Sequence, residues 1–528
     1  MELTWNNLDT LESFRKLQSL KGQVHLKDVL GADRVSAYGA RGAEGLTYNY
    51  AAKQVNEQIL SVMQELADEA QLTEKFTALY EGEVINTGEK RKVLHHLLRG
   101  RLGKDVFYDT SSGTKNARDF YESQRKAIAD FARSVHSGKI TNEKGETFTT
   151  VVQIGIGGSD LGPRALYLAL KAWGERHNKL KLRAHFISNV DPDDAVAVLS
   201  ALDLSTTLFI LVSKSGTTLE TLTNERFVSQ FLQEAGLNPA KQMVAVTSET
   251  SPLANNPSYL ASFYMDDFIG GRYSSTSACG GAVLSLALGA DTFDALLAGA
   301  AAADKQALEP SITKNAALTD ALIGIYERNI LGYGSTAILP YTQALSRFPA
   351  HLQQLDMESN GKSVNRFGEP IHYKTGPVIF GEPGTNGQHS FYQLLHQGAD
   401  IIPLQFVGFE ESQYGKDITV EGSTSQQKLL ANVVAQITAF ACGKQDNNAN
   451  KSFAGGRPSS LIYGKALTPE TLGVLLAHYE NKVMFQGFIW NINSFDQEGV
   501  QLGKVLAKKV LSHDMPPELA AYARLFGL

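Results

Sequence analysis

The chain has 528 residues, of which 43% are hydrophobic and 20% are charged, and its formal net charge is -6. This length allows two or three domains, and the acidic balance argues against nucleic acid as the main partner. The two cysteines, Cys279 and Cys442, exclude a disulfide framework and predict a reducing compartment. No leader-like N-terminus and no apolar run of membrane-spanning length occurs, so we expect a cytoplasmic protein without a membrane partner.

Residues 1–135 predict a mainly helical segment. Apolar residues recur at helical spacing between residues 51 and 67 and between residues 117 and 135, and the strand signal is weak. From residue 136 the character changes, because short apolar runs begin to alternate with amphipathic stretches. This alternation predicts an α/β fold with doubly wound parallel sheets.

Two such α/β units follow each other, one at about 136–290 and one at about 332–450. The strands predicted for the two units are 151–156, 183–188, 208–212 and 242–247, then 335–339, 377–380 and 401–407. The helices predicted between them are 161–172, 193–202 and 218–235, then 343–356, 390–396 and 426–442, with a helical interval at 293–331. A turn-rich stretch at 443–460 predicts an exposed loop, and helices return at 469–487 and 499–512.

A hydroxyl-rich loop, Ser213-Lys-Ser-Gly-Thr-Thr218, follows the apolar run at 208–212 and precedes an amphipathic helix. Free N–H groups and the helix dipole favour an anion there, and the hydroxyls can add donors, so a phosphate would fit. The Walker A pattern is absent, which argues against a nucleoside triphosphate. Simple helix capping by Ser215 and Thr217 explains the loop equally well.

A glycine-rich turn, Gln153-Ile-Gly-Ile-Gly-Gly-Ser-Asp-Leu-Gly162, also stands between a strand and a helix. Its glycines would allow a ligand close to the backbone, and Ser159 could bind an anion. The dinucleotide pattern fails, because Asp160 occupies the place of the third glycine and would repel a pyrophosphate. Tight packing of the helix on the strand explains Gly155 and Gly157 but not Ser159.

Two further stretches carry charged candidates. Arg272 follows two glycines, and a guanidinium placed there could stabilise an oxyanion, although for this stretch taken alone an exposed turn arginine is the simpler explanation. Asp356 and Glu358 stand at the predicted end of a helix, where carboxylates oppose the helix dipole. A working acid or base would explain them, as would a solvated helix end capped by Asn360 and Gly361.

Two histidines follow a third glycine-rich turn at 381–387. His389 is a candidate proton shuttle, whereas His396 is best explained as a satisfied helix histidine. No metal-ligand spacing accompanies them, so we predict no metal. Lys504 stands on a helix predicted to begin near Gly499, where most lysines are simply solvated.

Together these motifs resemble the phosphoglucose isomerase family. The resemblance extends from about residue 150 to residue 510 and consists of six motifs in the family's order: IGIGGSDLGP, SKSGTT, GGRYS, QQLDMESNGK, GTNGQHSFYQLLHQG and FDQEGVQLGK. One departure is Glu498, where many relatives would carry a bulky aromatic residue. This difference puts local packing around the last motif in question.

The resemblance implies a pair of sugar-isomerase (SIS) α/β domains with a helical N-terminal segment and a C-terminal arm. The corresponding divisions are 1–135, 136–290, 291–510 and 511–528. It also implies a homodimer with shared active sites that interconverts glucose 6-phosphate and fructose 6-phosphate through a cis-enediol, with no metal and no organic cofactor. Glycolysis and gluconeogenesis are the pathways expected for this reaction.

The resemblance also assigns roles to residues. Glu358 would move the proton between C2 and C1, and Arg272 would stabilise the intermediate. His389, contributed by the neighbouring subunit, and Lys504 would open the sugar ring. The substrate-binding residues implied are Gly158, Ser159, Ser213, Lys214, Ser215 and Thr218 for the phosphate, and Gln354 and Gln497 for the sugar.

Two alternatives remain open at this point. A non-catalytic SIS module that senses sugar phosphates would keep the phosphate loop but would need none of the catalytic groups, and no basic DNA-binding helix pair accompanies this chain. An isomerase that also accepts mannose 6-phosphate belongs to a branch that is generally shorter and lacks several of these motifs.

Overall fold

The computed structural model describes residues 2–100, 102–110 and 113–528. The N-terminal part contains helices and two short antiparallel strand pairs. Its helices are α1 (Glu12–Ser19), α2 (Leu26–Val29), α3 (Ala32–Ala37), α4 (Glu57–Glu69), α5 (Leu72–Tyr80) and α6 (Ala117–His136). Its strands are β1 (Gly39–Arg41), β2 (Thr47–Asn49), β3 (Phe107–Thr110) and β4 (Gly113–Asn116).

The first large sheet has five parallel strands in the order β6-β5-β7-β8-β9. These are β5 (Thr150–Ile154), β6 (Arg183–Ile187), β7 (Thr207–Val212), β8 (Met243–Thr247) and β9 (Ala261–Tyr264). The helices of this region are α7 (Leu161–Arg176), α8 (Pro192–Leu199), α9 (Leu219–Glu234) and α10 (Ala278–Leu288). Every residue of β7 is buried, as a continuous apolar run in a doubly covered parallel sheet requires.

Three helical stretches lead to the second sheet, namely α11 (Ala290–Gln306), α12 (Ala316–Ile325) and a π-helical segment at Tyr326–Leu331. The second sheet has the order β1-β2-β15-β12-β10-β11, in which the last four strands are parallel. The new strands are β10 (Ser335–Pro340), β11 (Val378–Phe380), β12 (Leu404–Phe409) and β15 (Ser459–Gly464), with a small hairpin of β13 (Thr419–Val420) and β14 (Ser423–Thr424). The helices are α13 (Phe348–Gln353), α14 (Tyr392–Gln397), α15 (Ser425–Cys442), α16 (Pro469–Ile489), α17 (Gln501–Leu511) and α18 (Pro517–Ala523).

Helix α16 forms the centre of the molecule. Residues on all its faces are buried, and it packs against α11 and α12. A helix that is covered all round belongs in the core of a large protein. Buried polar residues on α16, including Glu480 and Lys482, therefore need partners inside the protein.

The α/β fold with parallel sheets is confirmed, and the differences from the sequence prediction are local. The N-terminal segment contributes β2, which pairs with β15 at the edge of the second sheet. Strand β15 begins inside the predicted loop at 443–460, and its first residues, Ser459 and Ser460, are buried in the sheet. The prediction missed this start because serine usually indicates a turn. The short edge strand β9 also escaped prediction.

The predicted helix at 343–356 is interrupted. A 3₁₀ turn at Gln343–Leu345 precedes α13, and a π-helical segment at Gln354–Glu358 extends it. Among the described residues, no helix combines the length and the apolar character needed to cross a bilayer.

Candidate active site

The first sheet has its topological switch point between β5 and β7, because β6 lies on one side of β5 and the chain then continues on the other side. Ligands of doubly wound sheets bind at the carboxyl ends of such strands. The glycine-rich turn follows β5 and the hydroxyl-rich loop follows β7. The fold therefore brings two of the predicted motifs to one crevice.

The glycine-rich turn forms a close backbone contact with the segment that carries Arg272. A Cβ atom at Gly158 would overlap the Gly271 carbonyl, and Gly157 has a φ of +61°. Gln153 donates from Nε2 to the Ser159 carbonyl at 2.7 Å, which holds the turn over the end of β5. Only glycine at position 158 permits this approach.

Asp160 does not face a ligand in this turn. Its carboxyl group is buried and lies 2.7 Å from Arg164 Nη2. Burial raises the pKa of Asp160, and the Arg164 guanidinium opposes this shift. The residue therefore closes the first turn of α7, which leaves Gly158 and Ser159 as the groups next to the crevice.

The loop after β7 presents hydroxyl and ammonium groups. Ser213 is buried, and its Oγ lies 3.4 Å from Thr218 Oγ1. Lys214 donates to the Ile269 carbonyl at 3.1 Å, and Ser215 Oγ accepts from the Thr217 N–H at 3.2 Å. Thr218 is the N-cap of α9, but its side chain makes no capping bond. Capping by the loop is therefore incomplete, and the first turn of α9 retains donors for an anion.

The equivalent place in the second sheet is filled by the chain itself. Helix α15 follows β12 and the hairpin, and the Asp417 carboxylate accepts from the N–H groups of Ser425 and Gln426 at 2.9 Å each. These bonds lower the pKa of Asp417 to about 2. A carboxylate of the protein thus occupies the α15 terminus, whereas no carboxylate of the described residues accepts a hydrogen bond from the first N–H groups of α9.

Arg272 is 1% exposed and is held by four hydrogen bonds. Its Nε donates to Ser359 Oγ at 2.7 Å, and its Nη1 donates to Gln497 Oε1 at 3.1 Å. Its Nη2 donates to the carbonyls of Ser494 and Asp496 at 2.7 and 2.8 Å. The explanation as an exposed turn arginine is therefore wrong, because the planar guanidinium is locked in the interior.

Glu358 lies at the end of the π-helical segment, with one carboxylate oxygen 3.3 Å from Arg272 Nη1. Its side chain is 20% exposed, against 1% for that of Arg272, so the pair opens to solvent on the carboxylate side. Gln354 begins the same segment, and its Nε2 lies against Gly157. Its buried Oε1 has no hydrogen-bond partner among the described residues. A carboxylate, a guanidinium and an amide thus converge beside the glycine-rich turn.

His389 and Lys504 make no direct bond to this constellation among the described residues. His389 ends a 3₁₀ turn at Asn386–His389 and is exposed, and Lys504 is exposed on α17. Among the described residues, no hydrogen bond or ion pair ties either side chain to the Arg272 and Glu358 pair. His396 has the structural role expected for it, because it stacks on Phe440 at 3.7 Å and bonds to Gln436 at 2.9 Å.

The motif around Gln497 contacts the site mainly through its earlier residues. Gln497 is bonded to Arg272, whereas Glu498 is exposed and opens a short 3₁₀ turn. Lys362 Nζ binds Asp496 Oδ1 at 2.6 Å, which fixes the backbone that receives Arg272. Glu498 therefore does not disturb the packing of the buried part of this motif.

Three supporting residues were not predicted. Ser359 accepts from Arg272 and also bonds to the Tyr273 hydroxyl at 3.1 Å, and Ser494 and Asp496 offer backbone carbonyls. A serine next to a candidate base gave a weak signal, and backbone acceptors give none. In the part of the chain that the structure describes, no cluster of three or more His, Cys, Asp or Glu side chains is arranged to hold a metal ion.

Known proteins resemble this chain over nearly its whole length. The family model described as phosphoglucose isomerase matches residues 49–521. The glucose-6-phosphate isomerases of Treponema denticola and Treponema pallidum (strain Nichols) are 65% and 63% identical to the chain, over 99% and 100% of its length and 99% of their own. That of Borreliella burgdorferi (strain ZS7) is 50% identical over 97% of this chain and 96% of its own.

A solved structure extends the comparison to the fold. The crystal structure of a glucose-6-phosphate isomerase from Chlamydia trachomatis covers 99% of both chains at 41% identity, with a TM-score of 0.91. Sequence family, relatives and fold agree over nearly the whole length. The chain therefore belongs to the phosphoglucose isomerase family of enzymes.

Proposed function

We propose that this enzyme interconverts glucose 6-phosphate and fructose 6-phosphate by proton transfer through a cis-enediol, without a metal, as a step of glycolysis and gluconeogenesis. The observation that carries the proposal is the 3.3 Å contact between the Glu358 carboxylate and the buried Arg272 guanidinium. Proton removal next to a carbonyl requires a base and a positive group for the oxyanion that forms. These two residues supply both groups.

The substrate phosphate binds first in this proposal. Ser213, Lys214, Ser215 and Thr218 surround it from the β7 side, and Gly158 and Ser159 approach it from the β5 side. The free N–H groups at the start of α9 add donors and a favourable dipole. Binding the phosphate at the switch point directs the sugar end toward Glu358.

The sugar end is oriented by two amides. Gln354 lies against Gly157 and presents an acceptor without a partner, and Gln497 is fixed by Arg272. His389 and Lys504 open the ring by moving protons between the ring oxygen and the C1 hydroxyl. Glu358 then takes the proton from C2 and returns it to C1, while a proton passes from the C2 hydroxyl to the C1 oxygen. The same carboxyl group thus acts as base and as acid.

Arg272 is suited to stabilise the enediolate because it is already held in place. Four hydrogen bonds orient its guanidinium before substrate arrives, so little reorganisation accompanies the charge that develops on the sugar oxygens. A fixed cation also performs the electrostatic role for which other isomerases could use a metal ion.

The active unit in this proposal is a homodimer with shared sites. His389 and Lys504 are exposed in the single chain, and apolar side chains of the C-terminal arm are exposed as well, notably Tyr522, Leu525 and Phe526. Such a patch favours burial against another surface. A second copy would cover the arm and bring the His389 of one subunit to the Glu358 of the other.

The division of the chain into units is part of the same proposal. Helix α10 packs against α6, α7 and α11, whereas the main contact of α11 is with α16, and Gly289 stands between α10 and α11. These contacts support a boundary near residue 290 between the two α/β units. A cytoplasmic location is proposed because both substrates are phosphorylated sugars of central metabolism.

The test is turnover of fructose 6-phosphate by the purified protein, with glucose 6-phosphate detected by a coupled dehydrogenase and a chelator present throughout. We expect full activity in the chelator and loss of activity in Glu358→Gln. Binding of fructose 6-phosphate without turnover would contradict the proposal and would favour a sensor module. Full turnover by Glu358→Gln would contradict the assignment of the base.

A further inference from the structure

Asp356 lies between the two sugar-facing residues of the π-helical segment but faces the opposite side. Gln354 and Glu358 reach the crevice, whereas the Asp356 carboxyl group is buried and lines a cavity of about 20 Å³ behind the segment. Residues two apart on a helix do not share a face. The segment that carries the candidate base thus connects the active site to an internal polar cavity.

Both π-helical segments of this region border that cavity. Glu327 belongs to the Tyr326–Leu331 segment and binds Lys53 at 2.9 Å. Asp320, on α12, lies 3.3 Å from Lys482 on α16. Each of these carboxylates has a direct cationic partner, whereas the carboxyl group of Asp356 forms no such ion pair with any described residue. π-helical turns are uncommon and occur frequently at functional sites.

Three buried oxygens around the cavity lack a hydrogen-bond partner among the described residues. They are Asp356 Oδ1, Gln405 Oε1 and Gln486 Oε1. A buried acceptor without a donor is costly, and a cavity of this size and polarity is large enough for a water molecule. The Lys482 ammonium group has three donors and also lines the cavity, so it can share them with such a water.

We propose that water in this cavity links the Asp356 carboxylate to Lys482, and that this link holds the π-helical segment in the geometry that aims Glu358 at the substrate. Asp356 is then a positioning residue for the isomerisation. The inference rests on the proposed role of Glu358 as the base. Small displacements of a base cost large factors in rate, which is why such a support would matter.

The charge state of Asp356 depends on several elements that face the cavity. Lys482 comes from α16, Asp320 from α12, Glu327 and Arg328 from the other π-helical segment, and Lys53 from the N-terminal part. Burial raises the pKa of Asp356 to about 6, although Lys482 opposes the shift and Asp320 adds to it. The link therefore forms above that pH and is lost below it.

The experiment compares wild-type enzyme with Asp356→Asn, because asparagine imitates the protonated acid. We expect kcat for fructose 6-phosphate to fall about 10- to 100-fold well above pH 6, with KM changed little. The ratio of wild-type to variant kcat should approach one at acidic pH, where wild-type Asp356 is itself neutral. A defect in packing alone would give a ratio that does not depend on pH.

Stability gives an independent readout of the same variant. The folded-state pKa of Asp356 is raised, so its contribution to stability is lost as the pH rises through about 6. At pH 8 the melting temperature of Asp356→Asn should therefore equal or exceed that of the wild type, while its kcat is reduced. A wild-type kcat at every pH, or a pH-independent ratio, would overturn the inference.

Two further variants serve as controls. Glu327→Gln changes the same cavity without touching the Gln354–Glu358 segment, and we expect a lower melting temperature with kcat retained. Lys482→Gln removes the cation from the proposed link and should lower kcat well above pH 6, as Asp356→Asn does; a wild-type kcat there would contradict the inference even if Asp356→Asn did not fold. Glu358→Gln is measured in parallel, because full activity of this variant would contradict the proposed role of Glu358 as the base and not the role of Asp356.

Discussion

The Glu358 carboxylate and the Arg272 guanidinium form an asymmetric pair, 3.3 Å apart, in which the arginine is buried and the glutamate is partly open to solvent. Arg272 has four other hydrogen bonds, so it is the fixed member of the pair. Glu358 lies at the end of a π-helical segment and has room to face a substrate. This asymmetry fits the proposed roles, in which Glu358 is the base and Arg272 is the fixed cation.

Replacing Glu358 by glutamine should abolish proton transfer but keep the contact with Arg272. We expect kcat to fall by about 10²- to 10⁴-fold, because a positioned base contributes a factor of that order. Steady-state kinetics with both sugar phosphates measures the change, and inhibition by inorganic phosphate serves as the control. Phosphate affinity should stay unchanged, whereas a kcat near the wild-type value would refute the role.

Replacing Arg272 by lysine keeps the charge but loses the planar fork. A lysine cannot reach Ser359, Gln497 and both carbonyls together, so we expect kcat/KM to fall by about 10²- to 10³-fold. The loss of several buried hydrogen bonds should also lower the free energy of unfolding by about 1–3 kcal/mol. Kinetics and urea denaturation would check the two effects, and an unaffected kcat/KM would argue against an electrostatic role.

Replacing Ser215 by alanine tests the phosphate loop. Loss of one charge-assisted hydrogen bond should weaken substrate binding by about 10- to 100-fold, seen mainly in KM. The matched control is Asp417→Asn at the start of α15, which should lower the melting temperature and leave KM unchanged. If both variants changed KM alike, the proposal that the α9 terminus binds the phosphate and the α15 terminus does not would be contradicted.

Sharing of sites between subunits can be tested by mixing two inactive variants, Glu358→Gln and His389→Ala. In a mixed dimer one site receives both defects and the other receives neither. Activity should therefore return when the two proteins are unfolded and refolded together, and not when each is refolded alone. Absence of recovery in verified mixed dimers would place His389 and Glu358 in the same subunit's site.

Lys75 provides a prediction for stability. It is 2% exposed, its ammonium group lies 4.4 Å from the centre of the Trp5 ring, and no described carboxylate is within ion-pair distance. Burial and, to a smaller extent, Arg366 lower its pKa from 10.5 to about 7. Between pH 7 and 10.5, Lys75 is therefore protonated in the unfolded chain but neutral in the folded chain. The free energy of unfolding consequently falls as the pH decreases through this range.

Lys75→Met should remove that dependence. At pH 7.5 we expect the variant to be more stable than the wild type by about 1–4 kcal/mol, with the difference shrinking as the pH approaches 10.5. Thermal and urea unfolding across this range measures it. A variant that is less stable at every pH would show that the contact with Trp5 outweighs the cost of the buried charge.

The sequence alone predicted correctly that the two motif loops lie between a strand and a helix of a parallel sheet. The apolar run before Ser213 and the glycines after Gln153 predict two such strand–loop–helix units. Local periodicity and turn chemistry are sufficient for this inference. The order of the motifs also predicted the family, which the comparisons confirm.

Tertiary structure decided what local patterns cannot encode. Arg272 reads as an exposed turn residue until Ser494 and Asp496, more than 200 positions later, supply the carbonyls that bury it. The sequence around Ser459 predicts a loop, but in the structure Ser459 belongs to a strand that pairs with β12 and β2. The sequence around Asp356 allows a solvated helix end, but in the structure Asp356 is buried and Lys482 of α16 lies close enough to affect its pKa. Burial and charge pairing arise between segments that are distant in sequence. The sequence therefore indicated the residue types at the site, whereas only the tertiary structure determined the surroundings of each residue.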